Sequence, residues 1–555
     1  MLGKLSRRFV AALAFTLLLF AIGCTNTAGD NAPEPSGTNG NGTSSSNETE
    51  NANQSDESRD SNEKFKISVA PYQLAPLSRN APVIDYWNDM FHVELDIWNI
   101  EAKQYDEILS LRIASGEIPD VLSVNKYADF TKYAKQGVIA EIPEDMLQKH
   151  APHLYATYLK YDKDGEFNYG RIDGKIYGIN QLNFRGNYHL PLVWRGDWLE
   201  NVGIDKVPET LEEFEAAMYK FAKEDPDGNG KDDTYGLSES GMTVVYGAFG
   251  YLPFSIESGT NKDVWSVRDG KLVNGAVQPE MKQALALLNK WYQDGVIDPE
   301  FITGENTGGR ATLTQAFVTG RIGFTSHGAF IQWNPEFPGK SQAGANRVEL
   351  AKLNPEAAEK LLFSAPPIGP DGKRGAYAQE IIQSNIFALG KQLEKEPAKM
   401  ARILEILDYI CFSSYEHYLD GLYGPGNWQF VDGLATPNAE VADPVEAAKI
   451  GAHNVSVWLA NIDWKMKDFE PYMDWLEENH MATGNIWNEL TAPLPSEGKY
   501  LAELTKLRDE AYISIITGDK PLDSFDAFVE EWRRLGGEQL EKEANEWYAS
   551  AKANQ

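Results

Sequence analysis

A run of oxygen-bearing side chains lies in one short segment near the middle of the sequence. Residues 225–233 are Asp-Pro-Asp-Gly-Asn-Gly-Lys-Asp-Asp, with oxygen ligands at positions 1, 3, 5 and 9 and glycine at position 6. This spacing matches the first part of an EF-hand calcium loop, where carboxylates and amides two residues apart meet on a tight turn. The predicted calcium ligands are Asp225, Asp227, Asn229, Asp233 and the carbonyl oxygen of Lys231.

The end of this segment leaves two interpretations open. An EF-hand has a bidentate glutamate at position 12, where this chain has Gly236. Water, Thr234 or a distant acid would then complete the coordination of a structural Ca²⁺ ion. The alternative is a surface turn rich in Asp, Asn and Gly. A plain turn does not require all four spaced oxygen ligands, so the spacing favours calcium.

A second chemical motif lies at Cys24, close to the N-terminus. Basic residues precede the 14 residues from Phe9 to Ile22, a mostly apolar stretch, and Gly23 precedes the cysteine. A helix that spans a bilayer needs about 20 apolar residues, so residues 1–23 are predicted to be a signal peptide. Gly-Cys resembles the lipobox of bacterial lipoproteins, although Ala21 stands where leucine is usual. Cys24 is therefore predicted to be lipidated and to anchor an exported protein, with ordinary secretion as the alternative.

Composition narrows the possible partners. The formal net charge of −31 argues against nucleic acid, which requires clustered Lys and Arg, but does not exclude a small acidic ligand. The chain has 14 Trp and 25 Tyr, whose flat rings suit sugar stacking as well as core packing. Cys411 lies in an apolar stretch and is predicted to be a buried, unreactive side chain.

Sequence motifs of common enzyme classes are missing. The sequence has no His-Glu-x-x-His zinc helix, no Gly-x-Ser-x-Gly elbow, no phosphate-binding loop and no dinucleotide fingerprint. The chain is therefore predicted not to be an enzyme. The alternative is a polysaccharide-degrading enzyme, since two catalytic carboxylates cannot be located among 82 acidic residues.

The predicted strands and helices that would hold a binding site begin after a long polar segment. Residues 25–63 contain hardly any apolar side chain and are predicted to be a flexible tether. The next residues alternate strand and helix patterns: strands at Lys66–Ala70, Val93–Ile97 and from Asp120, and a helix at Gln104–Ser115. This alternation predicts a parallel sheet, in which ligands lie beyond the carboxyl ends of the strands. Tyr72 and Asn125 follow the first and third strands and are predicted to lie at the binding site.

Several short segments carry a family resemblance in order along the chain. They are Leu111–Asp120, Gly174–Gly178, Trp194–Leu199, the calcium-like loop, Phe317–Gly323, Ile515–Asp519 and Phe525–Phe528. Together they resemble family 1 extracellular solute-binding proteins of bacterial ABC importers, in the lipoprotein branch that includes alginate-oligosaccharide-binding proteins. The resemblance spans Phe65 to Gln555. Two places differ from the branch, namely Gly196, where lysine is frequent, and residues 423–428, where Ile-Glu-Gly commonly follows Tyr-Gly.

The resemblance implies an α/β fold of the type II periplasmic-binding-protein-like class, with two hinge-connected lobes around a ligand cleft. The implied division is signal peptide 1–23, lipidated Cys24 and tether 24–63, lobe 1 at 64–180 plus 366–427, and lobe 2 at 181–365 plus 428–555. Lobe 2 would carry the calcium loop. The chain would cross between the lobes near 180–184 and again near 366–372.

The same resemblance implies a function. The protein would be a monomeric receptor, lipid-anchored on the extracytoplasmic face of the cell membrane, with structural Ca²⁺. It would capture an oligosaccharide, including uronate-containing ones, and deliver it to ABC permease subunits. A receptor for a non-sugar solute is a further alternative.

Candidate ligand residues cluster at the implied crossings. At the first, Gln181 and Asn183 are polar, and Arg185 would bind a uronate carboxylate or form an interlobe salt bridge. Just beyond the second, Gln379 and Glu380 are predicted to bond sugar hydroxyl groups.

Three aromatic residues complete the predicted site. Phe330 and Trp333 stand where the family commonly presents a stacking aromatic, with core packing as the alternative. Trp428 lies in a glycine-rich loop, where a large exposed ring suits recognition.

Overall fold

The computed structural model describes residues 64–161, 170–182, 188–255, 262–302, 314–334, 344–378, 382–431, 433–453, 459, 461–470 and 473–553. Contacts divide the chain into Met1–Asn62 and Glu63–Gln555, and every described residue lies in the second unit. The predicted signal peptide, Cys24 and the tether lie outside the described residues. Among the described helices, none combines the length and the apolar character needed to cross a bilayer.

The strands are mostly short. They are β1 (Phe65–Ala70), β2 (Val93–Ile97), β3 (Val121–Val124), β4 (Arg171–Ile172), β5 (Lys175–Ile176), β6 (Gly178–Leu182), β7 (Val193–Arg195), β8 (Trp265–Arg268), β9 (Lys271–Asn274), β10 (Phe324–Thr325), β11 (Leu361–Phe363), β12 (Ala376–Tyr377), β13 (Ile382–Leu389), β14 (Trp428–Val431), β15 (Leu434–Pro437) and β16 (Asn485–Ile486).

Helices connect and cover these strands. They are α1 (Pro82–Phe91), α2 (Tyr105–Ala114), α3 (Tyr127–Lys135), α4 (Glu144–His150), α5 (Pro152–Tyr161), α6 (Gly196–Asn201), α7 (Leu211–Lys223), α8 (Glu239–Ala248), α9 (Glu280–Gln293), α10 (Gln315–Val318), α11 (Phe330–Trp333), α12 (Ala345–Leu353), α13 (Pro355–Glu359), α14 (Pro397–Asp408), α15 (Tyr415–Tyr423), α16 (Pro444–Lys449), α17 (Ile462–Phe469), α18 (Met473–Glu478), α19 (Glu497–Thr517), α20 (Ser524–Trp532) and α21 (Glu538–Ala553).

The five-stranded sheet has the order β2-β1-β3-β13-β6. β1 pairs in parallel with both β2 and β3, as the alternation of strand and helix patterns predicts. β13 runs antiparallel to both β3 and β6. The chain therefore leaves this sheet after β6 and returns to it at β13. Between these strands it forms a second, antiparallel sheet of order β10-β7-β11.

Local sequence signals explain where individual helices begin and end. α7 begins with a capping box, in which the N–H of Glu213 donates to the Thr210 hydroxyl at 3.2 Å and the Glu213 carboxylate accepts from the N–H of Thr210 at 3.2 Å. α2 ends just before Gly116, whose φ of +91° lies in the left-handed region that glycine adopts at little cost. Both boundaries follow from residues that sequence inspection identifies.

Apolar side chains form distinct core clusters. One lies on one face of the five-stranded sheet, with Ile67 from β1, Leu404 from α14 and Cys411 among its members. Ala447 and Leu476, far along the chain, belong to the same cluster. A separate cluster surrounds α7, α9 and α19. A further cluster, with Leu122 from β3 and Ile386 from β13, packs on the other face of the five-stranded sheet, so this sheet has a core on each face and a separate core lies among the later helices.

Cys411 is fully buried in the first of these clusters. Burial raises the pKa of its thiol, which disfavours the reactive thiolate. The prediction of a buried apolar role for this cysteine is confirmed.

Candidate ligand site and metal-binding loop

Aromatic side chains gather at the carboxyl ends of β1 and β3. Tyr72, two residues beyond β1, is 38% exposed, and its ring packs edge-on against Tyr105 at a centroid distance of 5.5 Å. The Tyr105 hydroxyl donates to the carbonyl oxygen of Ala70 at 2.7 Å and accepts from the N–H of Ser123 at 3.1 Å. The first residue of α2 is therefore fixed to the ends of both strands, and it supports the exposed ring of Tyr72.

Asn125 stands directly after β3, beside a pair of opposite charges. Its side-chain amide donates to Oδ1 of Asp106 at 2.9 Å, while Nζ of Lys126 lies 3.1 Å from Oδ2 of the same carboxylate. The hydrogen bond to Asp106 raises the pKa of Lys126. Because Asp106 follows Tyr105 in α2, the start of one helix holds both Tyr72 and Asn125. The structure thus places both predicted residues at the same sheet edge, and their role in binding stays a prediction.

Three short segments pair with one another: one follows β6, one precedes β13, and one includes β16. β12 pairs in parallel with β16, and Ala378 forms an antiparallel bridge with His189. The N–H of Ala378 donates to the carbonyl oxygen of Ile486 at 3.0 Å. We call this arrangement the three-segment layer, and its segments are 188–190, 376–378 and 484–486. Of the predicted residues near it, Asn183, Arg185, Gln379 and Glu380 lie outside the described residues.

His189 helps to fix this layer from inside. The side chain is buried, with Nδ1 2.7 Å from the carbonyl oxygen of Leu190 and Nε2 3.0 Å from that of His480. Burial lowers the pKa of His189, so the neutral ring donates to one of the two carbonyl groups at a time. The ring ties the first crossing segment to the chain that precedes β16.

Gln181, the other predicted residue of the first crossing, lies on β6. This strand is at the edge of the five-stranded sheet and pairs with β13, and the Gln181 side chain is half-buried. The side chain is therefore partly accessible at a sheet edge, and its contact with a ligand stays a prediction.

Two of the predicted stacking aromatics lie in cores. Phe330 is 3% exposed and packs edge-on against Tyr188 at a centroid distance of 6.3 Å. Trp333 is fully buried, and its indole N–H donates to the carbonyl oxygen of His327 at 2.8 Å. Core packing, the alternative interpretation of both residues, describes their positions in this structure, because neither ring has an exposed face.

Trp428 begins the hairpin of β14 and β15 and is half-buried. Its indole N–H donates to Oδ1 of Asp420 at 2.8 Å, and burial raises the pKa of that carboxyl group. Phe430, two residues later, contacts the Trp428 ring edge-on at 5.3 Å and is 46% exposed. Side chains two residues apart on a strand lie on the same face, so both rings lie on one face of β14. The two-residue separation from Trp428 is the sequence pattern by which Phe430 could have been predicted.

Sequence reasoning also missed Trp487. This side chain directly follows β16 and is 43% exposed, whereas every other tryptophan of the described residues is at least partly buried. No motif or periodicity marks it in the sequence. Only the pairing of β16 with β12 brings it to the three-segment layer.

The segment 225–233 folds so that its oxygen-bearing side chains surround one residue. The backbone N–H of Asn229 donates to Oδ1 of Asp225 at 3.1 Å and to Oδ1 of Asp227 at 3.2 Å. Its side-chain amide donates to Oδ2 of Asp227 at 2.8 Å and to Oδ1 of Asp233 at 3.1 Å. The three predicted carboxylate ligands therefore converge on the predicted amide ligand.

The side-chain oxygens of this loop are of the type that Ca²⁺ binds, but they are not placed at the distances from one another that a bound ion requires. Carboxylate and amide oxygens are the ligands Ca²⁺ takes, and burial, followed by the neighbouring Asp225 and Asp233, raises the pKa of Asp227. Within the described ranges, however, no group of three or more His, Cys, Asp or Glu side chains is arranged to hold a metal ion. In this structure the carboxylate oxygens are positioned by the hydrogen bonds that they accept from the N–H groups of Asn229. Thr234 does not complete the set, because its buried hydroxyl donates to the carbonyl oxygen of Phe221 at 2.8 Å.

Known proteins share this architecture. Residues 84–392 match the family model described as bacterial extracellular solute-binding protein. Lipoprotein LipO of Bacillus subtilis (strain 168) is 24% identical over 470 residues, which cover 83% of this chain and 87% of LipO. The polygalacturonan/rhamnogalacturonan-binding protein YtcQ of the same organism is 25% identical over 515 residues, covering 88% of this chain and 93% of YtcQ.

A solved structure shows the fold. The crystal structure of the alginate-binding protein AlgQ2 without calcium ion superposes with a TM-score of 0.63 at 19% identity, covering 88% of this chain and 99% of AlgQ2. The expectation of an α/β, type II periplasmic-binding-protein-like fold is confirmed.

Proposed function

This chain belongs to the bacterial extracellular solute-binding protein family, and we propose that it captures oligosaccharides outside the cell for an ABC importer. The family consists of receptors, which confirms the prediction of a binding protein rather than an enzyme. The observation that carries the proposal is the grouping of Tyr72 and Asn125 at the carboxyl edge of the five-stranded sheet, where such folds bind ligands. An aromatic face beside amide and carboxylate groups matches the apolar faces and hydroxyl groups of sugars.

We propose that the cargo includes uronate units. YtcQ is named for binding polygalacturonan and rhamnogalacturonan, and AlgQ2 for binding alginate, and all three polymers carry uronate carboxylates. Arg185, the predicted contact for such a carboxylate, lies outside the described residues.

Two lobes closing around the sugar are part of this proposal. The separate cores support the division into lobes, but the packing argues for a longer first lobe. Val441 and Met481 pack in the core of the five-stranded sheet, so we propose that the chain returns to lobe 2 near residue 484 rather than at 428. The connections between the lobes would then run through the three-segment layer, where closure would bend them.

Membrane attachment follows from the same proposal. A receptor that hands its ligand to permease subunits works only beside them, and the relative LipO is a lipoprotein. We propose that Cys24 carries the lipid and that residues 25–63 tether the folded unit. Release of a Cys24→Ala variant from the membrane fraction checks this assignment.

Binding without turnover is the test of the proposed function. We expect purified protein to bind at least one member of a panel of neutral and acidic oligosaccharides with a stoichiometry of about one, and to be stabilised increasingly as ligand concentration rises. Calorimetry measures the binding, and chromatography of the glycan afterwards should show it unchanged. New reducing ends or unsaturated products would instead support the enzyme, and binding confined to peptides would support a non-sugar receptor.

We also propose that the loop 225–233 binds structural Ca²⁺. Asp225, Asp227, Asn229 and Asp233 would supply side-chain oxygens, and Lys231 its carbonyl oxygen. The ion would neutralise three neighbouring carboxylates and brace the end of α7.

Removal of calcium is expected to lower the melting temperature. Calcium at about 100 times its dissociation constant stabilises the folded state by about 2.7 kcal/mol, which EDTA would abolish. Asp225→Ala should make the melting temperature insensitive to EDTA. Asp232→Ala, in the same loop but outside the ligand set, is the matched control and should keep the calcium response. Equal melting of the unaltered protein with calcium and with EDTA would contradict the assignment.

A further inference from the structure

An exposed aromatic ring lies on the hairpin of β14 and β15. Phe430 is 46% exposed, although its neighbours on the same face of the hairpin, Trp428 and Ala435, pack against the core of the five-stranded sheet. Its ring meets that core at Tyr415, which is 4% exposed and lies at a centroid distance of 6.2 Å. The core therefore supports this ring without covering it.

Trp428 joins this ring to a carboxylate. Its indole contacts the Phe430 ring edge-on at 5.3 Å, and its N–H donates to Oδ1 of Asp420, on α15, at 2.8 Å. The Asp420 side chain is half-buried, and no donor among the described residues is bonded to its second oxygen, Oδ2. One tryptophan thus holds an exposed ring and a carboxylate next to each other. Because contacts within the protein fix both groups, binding a ligand there costs little side-chain entropy.

The base of this hairpin borders the sheet edge at which Tyr72 lies. α1 connects β1 to the parallel strand β2, so its first turn, which includes Val83, lies at the carboxyl ends of the strands. A Cβ on Gly424, just before the hairpin, would lie 2.6 Å from Cγ2 of Val83. The loop that begins near Tyr72 is bonded to the chain behind the hairpin, since the N–H of Ser78 donates to the carbonyl oxygen of Lys449 at 2.8 Å. The hairpin therefore extends the proposed ligand edge.

The combination of a ring and a carboxylate favours a sugar over an apolar partner. A sugar presents an apolar ring face, which stacks on an aromatic side chain, and hydroxyl groups, which donate to a carboxylate. An apolar protein surface laid over Phe430 would remove water from Asp420 without supplying a donor, which costs free energy. Because the Asp420 carboxylate repels a uronate, the sugar ring that fits is uncharged.

We propose that Phe430 and Asp420 form a subsite for an uncharged sugar ring of the captured oligosaccharide. The sugar ring stacks on Phe430, and one of its hydroxyl groups donates to Oδ2 of Asp420. Uronate units of the same ligand would bind elsewhere along the edge, away from this carboxylate. This inference rests on the proposed function and deepens it by naming two further binding residues and the class of sugar ring that they take.

Calorimetry on the full chain tests the subsite with neutral and acidic probes. The neutral probes are malto-, galacto- and fructo-oligosaccharides, and the acidic probe is trigalacturonate. Phe430→Ala is expected to weaken binding of the tightest neutral probe by about 10-fold, the value of one stacked ring, and Phe430→Tyr should recover most of the loss. Asp420→Asn should also weaken it by about 10-fold, because the hydrogen bond from the sugar hydroxyl loses its charged acceptor. The melting temperature of each variant shows whether it is folded.

Val431→Ala is the matched control. Val431 is the next residue of β14, is 43% exposed and lies on the opposite face of the hairpin, so its truncation should leave all affinities unchanged. Equal losses in Phe430→Ala and Val431→Ala, or no loss in Phe430→Ala, would overturn the subsite. Binding of trigalacturonate without binding of any neutral probe would also overturn it while the receptor function stands. Binding of no glycan at all would overturn the proposed function, and the subsite with it.

Discussion

Asp263→Ala is expected to destabilise the protein by about 3–5 kcal/mol, because it removes a buried carboxylate partner from a buried guanidinium. The side chain of Arg508, on α19, is 0% exposed, and that of its ion-pair partner Asp263 is 5% exposed. Asp263 also accepts a hydrogen bond from Nδ2 of Asn274 at 2.8 Å. Asp509, which is more exposed than Asp263, lies 2.8 Å from the guanidinium and would stay as a carboxylate partner. Urea-induced unfolding followed by tryptophan fluorescence measures the change in unfolding free energy.

Two control variants separate the lost charge from lost packing. The double variant Asp263→Leu/Arg508→Met replaces the pair by apolar side chains and is expected to recover most of the loss, since the only carboxylate that then loses its partner, among those paired with Arg508 in the described residues, is the half-buried Asp509. Glu510→Ala removes an exposed partner of Lys506 and should change stability by less than about 1 kcal/mol. A loss in Asp263→Ala no larger than that of Glu510→Ala would show that water reaches Arg508.

Local sequence patterns were sufficient for the first part of the fold. The predicted strands at 66–70 and 93–97 are β1 and β2, because their residue types suit a half-buried strand and turn residues bound them. The capping box at Thr210 likewise marks the start of α7 without knowledge of any distant contact. From the parallel pairing of these strands alone, sequence reasoning could place Tyr72 and Asn125 at one edge of the sheet.

Long-range pairing could not be predicted in this way. β13 lies more than 250 residues after β3, yet Ile386 pairs with Val124 in the middle of the sheet. The return of Val441 and Met481 to the same core is equally invisible in a local pattern. The boundary near 428 followed the resemblance, and the packing favours 484 because apolar side chains between the two continue to bury against the first core.

The exposure of individual aromatic side chains could not be predicted from the local sequence either. Trp333 and Trp487 are chemically identical in the sequence, yet the first is fully buried and the second 43% exposed. Their tertiary surroundings differ. The ring of Phe317 packs against that of Trp333 at a centroid distance of 5.4 Å, whereas Trp487 follows a two-residue strand at the edge of the three-segment layer.

The second large effect is expected at the opposite end of β3 from the ligand edge. Asp120 is 4% exposed and accepts from the N–H and the hydroxyl of Ser68 at 2.8 and 3.0 Å, and from Nε2 of Gln392 at 3.0 Å. Nζ of Lys399, on α14, lies 2.9 Å from the same carboxylate and is 12% exposed. One side chain therefore joins β3 to β1 and to the helix that covers them.

Asp120→Ala is expected to cost about 3–5 kcal/mol in unfolding free energy, because several buried donors and a buried ammonium group lose their acceptor together. Asp120→Asn should cost less, since its amide oxygen still accepts from Ser68, and Asp145→Ala, at an exposed site, should stay within about 1 kcal/mol. Asp120 and Asp263 serve different cores, so the double variant Asp120→Ala/Asp263→Ala should lose the sum of the two single effects within about 0.5 kcal/mol. A large departure from additivity would mean that the two cores are energetically coupled.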